Sequence, residues 1–159
     1  MKKYIQLFAQ IIICLVFIGC ASMQVVPHEE RSLQFVHHMG VEKDYLFTKS
    51  LEWMAQVFVD SREVIHYKDK ESGKIIGKGR ISFLNYGIAL IPCKFTITID
   101  IKDNKYRTTY DSFTGMWGEF HNQPMPVVCR DHIDQVRNKL TAFDKSLSEY
   151  LLCGASDNW

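Results

Sequence analysis

The chain reads as an α+β domain: one helix, a four-stranded antiparallel meander sheet, and a C-terminal helix packed on one face of that sheet. Three patterns predict this. Apolar residues recur at helical spacing in two separated stretches, residues 43–60 and 131–152. Between them, residues 62–110 hold period-two alternation interrupted by turn residues. One interruption, Asp103-Asn104, sets the register of a hairpin.

The chain opens with Lys2 and Lys3, then a mostly apolar stretch densest from Ile11 to Ile18. Small residues flank a cysteine in Ile18-Gly19-Cys20-Ala21-Ser22. A basic start, a short apolar core and a small residue before the cut make a secretion signal. Gln6 and Gln10 interrupt the apolar stretch, leaving it shorter than the roughly 18 residues of a membrane span. The stretch is similar to bacterial lipoprotein signals, with Phe17 where Leu is usual three residues before the cysteine.

The expectation is therefore that residues 1–19 are removed and that Cys20 carries palmitate-like acyl chains. Each buried CH₂ contributes about 0.8 kcal/mol, so two or three chains hold durably where one does not. Asp does not follow Cys20, so the enterobacterial inner-membrane retention cue is missing. The expected address is the outer membrane, facing the periplasm. The alternative is an ordinary signal peptide or an uncleaved anchor, in which Cys20 is only a cysteine.

Without residues 1–19 the chain has 140 residues, one domain and a tether. Loss of Lys2 and Lys3 leaves 17 Lys and Arg against 18 Asp and Glu, a net charge of −1. That balance gives no electrostatic basis for nucleic-acid binding, which needs a basic footprint. Residues 20–41 are expected to be the lipidated cysteine and its tether, residues 42–153 the domain, and residues 154–159 a tail. An oxidising compartment permits a disulfide. The sequence does not choose a pairing among Cys93, Cys129 and Cys153, and small buried hydrophobes are an equally good reading.

Within the tether, His37 and His38 stand near Glu29 and Glu30. Adjacent histidines in a polar segment lack zinc-ligand spacing, and no metal or cofactor is expected. The first helix covers about Lys43–Asp60, with Phe47, Leu51, Met54 and Phe58 on one face and Leu46, Trp53 and Val57 widening it. Strands follow at Arg62–Lys68 and Lys74–Phe83, joined by the turn Glu71-Ser72-Gly73. Ile75, Gly77, Gly79, Ile81 and Phe83 share a face of the second. These glycines open no helix, so they are read as letting a helix approach closely rather than as a phosphate cradle. In residues 84–93, Asn85-Tyr86-Gly87 breaks the pattern and a short apolar run, Ile88–Ile91, ends at Pro92, which reads as a loop or an edge extension.

In the third strand Phe95, Ile97, Ile99 and Ile101 alternate with polar residues. A type I′ turn at Asp103-Asn104 then pairs Lys102 with Lys105, Ile101 with Tyr106, Asp100 with Arg107, Ile99 with Thr108 and Ile97 with Tyr110. The Asp100–Arg107 pair falls on the outer face and is worth about 0.2–1 kcal/mol. Residues 113–128 read as a long loop, in which Trp117 and Phe120 either meet a partner or fold back on the core. The last helix starts at an Asp131 N-cap. It carries Ile133, Val136, Leu140, Phe143, Leu147 and Leu151 on one stripe and stops at Gly154.

Three stretches carry a resemblance: Leu51-Glu52-Trp53, Ile75-Ile76-Gly77-Lys78-Gly79, and Phe95 through Lys102-Asp103-Asn104-Lys105-Tyr106-Arg107. Over about residues 42–150 the chain resembles lipoproteins of Bacteroidetes-type bacteria that carry the domain of unknown function 4468. The resemblance implies a TATA-binding-protein-like fold. It implies no activity, because the family supplies none to transfer.

No Gly-x-Ser-x-Gly elbow and no His-Glu-x-x-His occurs, and no catalytic residue is assigned. Cys129 with His121 or His132, and Asp111 with Glu119, are the pairs an enzyme reading would use. The leading expectation is a non-enzymatic binding or accessory protein, anchored to the membrane, whose partner is an envelope protein, peptide or glycan. Its candidate surface is Thr96, Thr98, Arg107, Thr109, Trp117 and Phe120. The alternatives are an envelope hydrolase with an unrecognised site, or a structural subunit of an outer-membrane assembly.

Overall fold

The computed structural model describes residues 24–58 and 65–156. The leader, Cys20, the start of the expected tether, the helix end at Asp60-Ser61, the strand start at Arg62 and the final three residues lie outside the described residues. In chain order the elements are a 3-10 turn at His28–Glu30, β1 (Leu33–His38), α1 (Lys43–Val57), β2 (Ile65–Asp69), β3 (Lys74–Asn85), β4 (Ala89–Lys102), β5 (Lys105–Trp117), β6 (Gln123–Pro126) and α2 (Arg130–Ser156).

The expected α+β class and the C-terminal helix are present, but the sheet is not a four-stranded meander. Six antiparallel strands run in the order β1-β5-β4-β3-β2, with β6 also paired to β5. β1 takes Lys105–Tyr110 of β5 and β6 takes Thr114–Trp117, so two short strands lie end to end along one edge of β5.

Both additional strands come from segments expected to be irregular. β1 lies in the expected tether, yet Leu33, Phe35 and His37 are half-buried and alternate with exposed Gln34, Val36 and His38. The backbone before it is also built in, since buried Val26 donates its N–H to Val128 O at 2.8 Å. The fold thus takes in residues 24–41. β6 lies in the expected loop at 113–128.

A β-bulge hides the continuation of β5. Tyr106, Thr108 and Tyr110 point inward, Ser112 adopts φ 58, and the register to β4 shifts between Lys94 and Thr96. One extra residue reverses the parity of a strand. Phe113 and Gly115 are therefore buried, at odd rather than even positions. Pro92, which suggested an irregular segment, sits one residue beyond the last β4–β5 pair, Cys93 with Gly115. There its missing N–H removes no bond toward β5.

The hairpin register from β4 to β5 matches the expectation at every pair named above. The turn type differs. Only Asn104 has positive φ, at 64°, so the turn is not type I′. The turn is held by neighbouring chain: Met39 N donates to Asn104 O at 2.8 Å and Asn104 N to Val41 O at 3.0 Å. Asp103 Oδ1 accepts from Lys43 N at 3.1 Å and so satisfies an orphan donor of α1, whose own N-cap, Glu42, makes no side-chain cap.

Both helices cover one sheet face. Leu46, Phe47, Trp53, Met54 and Phe58 from the first, with Ile133, Val136, Leu140, Leu147 and Leu151 from the second, bury against Ile75, Ile81, Phe83, Phe95, Ile97, Ile99 and Ile101. Trp53 is a core residue whose Nε1–H donates to Ser146 Oγ at 3.3 Å, tying the helices together. α2 begins at Arg130, one residue before the expected cap. Asp131 lies in its first turn and accepts from Gln135 Nε2 at 3.0 Å. The helix runs through Gly154 to Ser156, because a glycine weakens a helix by about 1 kcal/mol without ending it.

Gly79 shows why β3 lacks a side chain at that point. A Cβ there would lie 2.3 Å from Phe95 Cζ and 2.7 Å from Phe58 Cε1, two buried rings. Aromatic rings rather than helix backbone make the close approach. Gly79→Ala is expected to destabilise the fold by about 1–3 kcal/mol, read from urea denaturation midpoints at unchanged slope.

Candidate functional site

The sheet face away from the helices has no element over it among the described residues. Four of the six candidate binding residues lie there. Thr98 pairs with Thr109, Asp100 with Arg107, and Thr96 with Asp111 across β4 and β5. Gln34 of β1 extends the row and donates its Nε2–H to Thr109 Oγ1 at 3.2 Å. Arg107 Nη2 donates to Asp100 Oδ2 at 2.7 Å, and Lys74 Nζ stands 3.5 Å from the other oxygen. These two cations hold the Asp100 carboxyl below the usual carboxylate range against the opposing effect of its partial burial.

The other two candidates are elsewhere. Trp117 lies on the helix side, 5.9 Å from the Phe83 ring and 6.1 Å from the His132 ring, and closes the core. Phe120 is at the tip of the β5–β6 hairpin and is 80% exposed. The open face is therefore a patch of threonine and paired charge with no aromatic platform from these two.

A buried polar cluster that the sequence did not suggest lies on the opposite face. Asp144 of α2 is 3% exposed. Its Oδ1 accepts from the fully buried Thr108 hydroxyl of β5, and its Oδ2 lies 2.7 Å from His37 Nε2 of β1. The His37 ring stacks on Tyr106 at 4.9 Å. Burial, and then the nearby Asp144 carboxylate, push the Tyr110 phenol far above its ordinary range, and burial does the same to Tyr106. The only sequence signals were Asp144 on the otherwise apolar stripe of α2 and Thr108 between two inward tyrosines.

The cluster resembles a triad only in composition. In an acyl-transfer triad the imidazole sits between carboxylate and hydroxyl so that it takes the hydroxyl proton. Here the carboxyl group sits between, and Thr108 is sealed from solvent. The arrangement joins α2 to two strands rather than activating a nucleophile.

The other pairs considered do not form. His121 Nδ1 lies 3.2 Å from Met116 O, and His132 stacks on Phe83 at 4.5 Å. Neither ring is hydrogen-bonded to Cys129 among the described residues. Asp111 accepts from Ser112 Oγ at 2.7 Å rather than meeting Glu119. Cys93 and Cys129 are not joined in a disulfide, and burial pushes the Cys93 thiol up to about 11. No group of three metal-ligating side chains occurs among the described residues. A shallow depression of about 440 Å³ lies at the start of α1, lined by Glu42, Lys43, Asp44, Asp103 and Asn104, where the Asp103 cap already occupies the free N–H.

With this geometry in view, the family is settled by a match of residues 34–115 to the domain of unknown function (DUF4468) with TBP-like fold. The chain belongs to the DUF4468 family. The match covers β1 to most of β5, including the open-face threonines and Thr108. Two solved structures have the same fold. A TBP-like protein from Parabacteroides distasonis ATCC 8503 gives a TM-score of 0.63 at 9% identity, over 79% of this chain and 96% of that one. A DUF4468 family protein from Bacteroides ovatus ATCC 8483 gives 0.55 at 10% identity, over 87% and 93%. No curated protein matches the chain. DUF4468 is a structural description, and no catalytic arrangement is evident among the described residues of this member.

His132 supplies a pH-dependent term. Burial against Phe83 lowers its pKa from 6.5, against a smaller raising effect of Asp131. The unfolded chain therefore binds a proton that the folded chain does not, between the depressed value and about 6.5. Stability rises with pH across that window and falls on acidification through it. His132→Phe, which keeps a ring on Phe83, is expected to flatten the dependence between pH 7.5 and pH 5.5 relative to the unaltered protein, as measured by urea unfolding.

Proposed function

We propose that this DUF4468 protein is an envelope lipoprotein, held by acyl chains on Cys20, that binds a protein, peptide or glycan partner without catalysing a reaction. The leader from Lys2 to Cys20 supports the anchor. The bare sheet face supports the binding role and is the observation that carries it. Thr96, Thr98, Arg107 and Thr109 stand in register on two central strands, with hydroxyls and a guanidinium available to polar groups. The expected address is the outer membrane, on its periplasmic side.

A polar sheet face is also what a solvated antiparallel sheet presents, so occupancy is the property to test. A photo-reactive side chain introduced at Thr98 or Thr109 is expected to trap a discrete partner in cells. The same group at Lys145, on the solvent side of α2, is expected to trap none. Equal labelling from all three positions, or none from the sheet, contradicts a partner on this face.

A further inference from the structure

The two ends of the sheet differ in chemistry. At one end the β2–β3 turn carries Lys70, Glu71 and Ser72, and the β4–β5 turn carries Asp103 and Asn104. At the other end the β3–β4 and β5–β6 hairpins expose apolar side chains. Ile88 is 88% exposed, Phe120 80%, Tyr86 74% and Leu90 63%. Leu84, paired with Leu90, continues the patch onto the open face. Large apolar side chains grouped at hairpin tips stay in water only at a cost, and such patches mark contact sites.

The first described residue lies at this same end. Leu84 N donates to Gln135 Oε1 at 2.8 Å, Gln135 Nε2 donates to Leu84 O at 3.0 Å, and Lys139 Nζ donates to Ser82 O at 2.5 Å. α2 thus runs antiparallel to β3. At about 1.5 Å per helical residue and about 3.3 Å per strand residue, Arg130 comes level with Tyr86. Arg130 N donates to Gln24 O at 2.8 Å, so Gln24 stands at the level of the hairpin tip. Four residue steps separate it from Cys20, a reach of at most about 14 Å.

We infer that the β3–β4 and β5–β6 tips dock on the lipid bilayer itself, with Tyr86, Ile88, Leu90 and Phe120 entering its interfacial layer. This rests on the lipid anchor proposed above. A reach that short keeps Gln24, and with it the apolar end, close to the surface. Tyr86 suits such a boundary, because its ring is apolar and its hydroxyl stays hydrated. The polar turns at Glu71 and Asp103 then point away from the membrane, and the Thr98–Thr109 row faces sideways into the aqueous space.

The test uses full-length protein extracted from membranes and reconstituted in phosphatidylcholine–phosphatidylethanolamine vesicles. Spin labels are placed by Ile88→Cys or, at the polar end, by Ser72→Cys, with Cys129 and Cys153 replaced by Ser. Docking predicts that collisions with oxygen rise and collisions with a water-soluble nickel chelate fall at position 88, with position 72 remaining open to the chelate. Equal chelate access at both positions overturns the inference. So does shielding of position 88 with no rise in oxygen collisions, or dipolar coupling between labels, since either means that protein covers the tips. Intact mass of the same preparation separates the two ideas. An acylated Cys20 with position 88 in water removes the docking alone, whereas an unmodified Cys20 removes the anchor and the docking with it.

Discussion

The buried carboxyl group of Asp144 is the contact on which the arrangement of helix and sheet turns. An amphipathic helix finds an apolar sheet face by burial alone, but burial is non-directional and leaves the helix free to slide. Asp144 removes that freedom. Its oxygens meet the Thr108 hydroxyl on β5 and His37 Nε2 on β1, two strands adjacent in space but separated in sequence by the whole of α1 and β2–β4. A buried carboxyl without partners is costly, so positions of α2 that miss both groups are penalised. The clasp also explains why β1 belongs to the domain: without it, α2 loses one of the two partners of Asp144.

Once α2 is seated, its N-terminal half lies along β3, through Gln135 and Lys139 to the backbone of Leu84 and Ser82. That placement brings Arg130 beside Gln24, the first described residue. Among the described residues, the sheet is left with one face covered and one open. It is also left with one polar end and one apolar end. The apolar tips and the open face are thus different surfaces of one domain, and the membrane docking and the partner proposed above would use them separately.

Much of this was legible in the sequence, and what was not has identifiable causes. The helical stripes and the β4–β5 register were readable because each rests on several agreeing local signals: apolar period, turn residues and the Asp100–Arg107 pair. β1 was not, because a six-residue strand holding two histidines and a glutamine has little apolar contrast, and its pairing partner is about 70 residues away. The bulge at Ser112 reverses the parity of β5, so the alternation of Tyr106, Thr108 and Tyr110 does not carry on to Phe113, and residues 113–128 read as a loop although Phe113 and Trp117 serve the same core. The type I′ expectation failed because the turn at Asp103-Asn104 is shaped by hydrogen bonds to Met39, Val41 and Lys43, which no local pattern encodes. Of the candidate surface, the threonines and Arg107 followed from register alone. Trp117 depended on the bulge and lies against the core.

The clasp is tested most directly by a double-mutant cycle on Thr108→Val and Asp144→Ala, with unfolding free energies measured in urea. Asp144→Ala alone orphans a buried hydroxyl, and Thr108→Val alone removes a partner of a buried carboxyl, so each is expected to destabilise. The double variant, with neither group left seeking the other, is expected to be more stable than the sum of the single losses predicts, by a coupling of about 0.5–3 kcal/mol. Additive losses, with no coupling between positions 108 and 144, would contradict the claim that this contact seats α2 on the sheet.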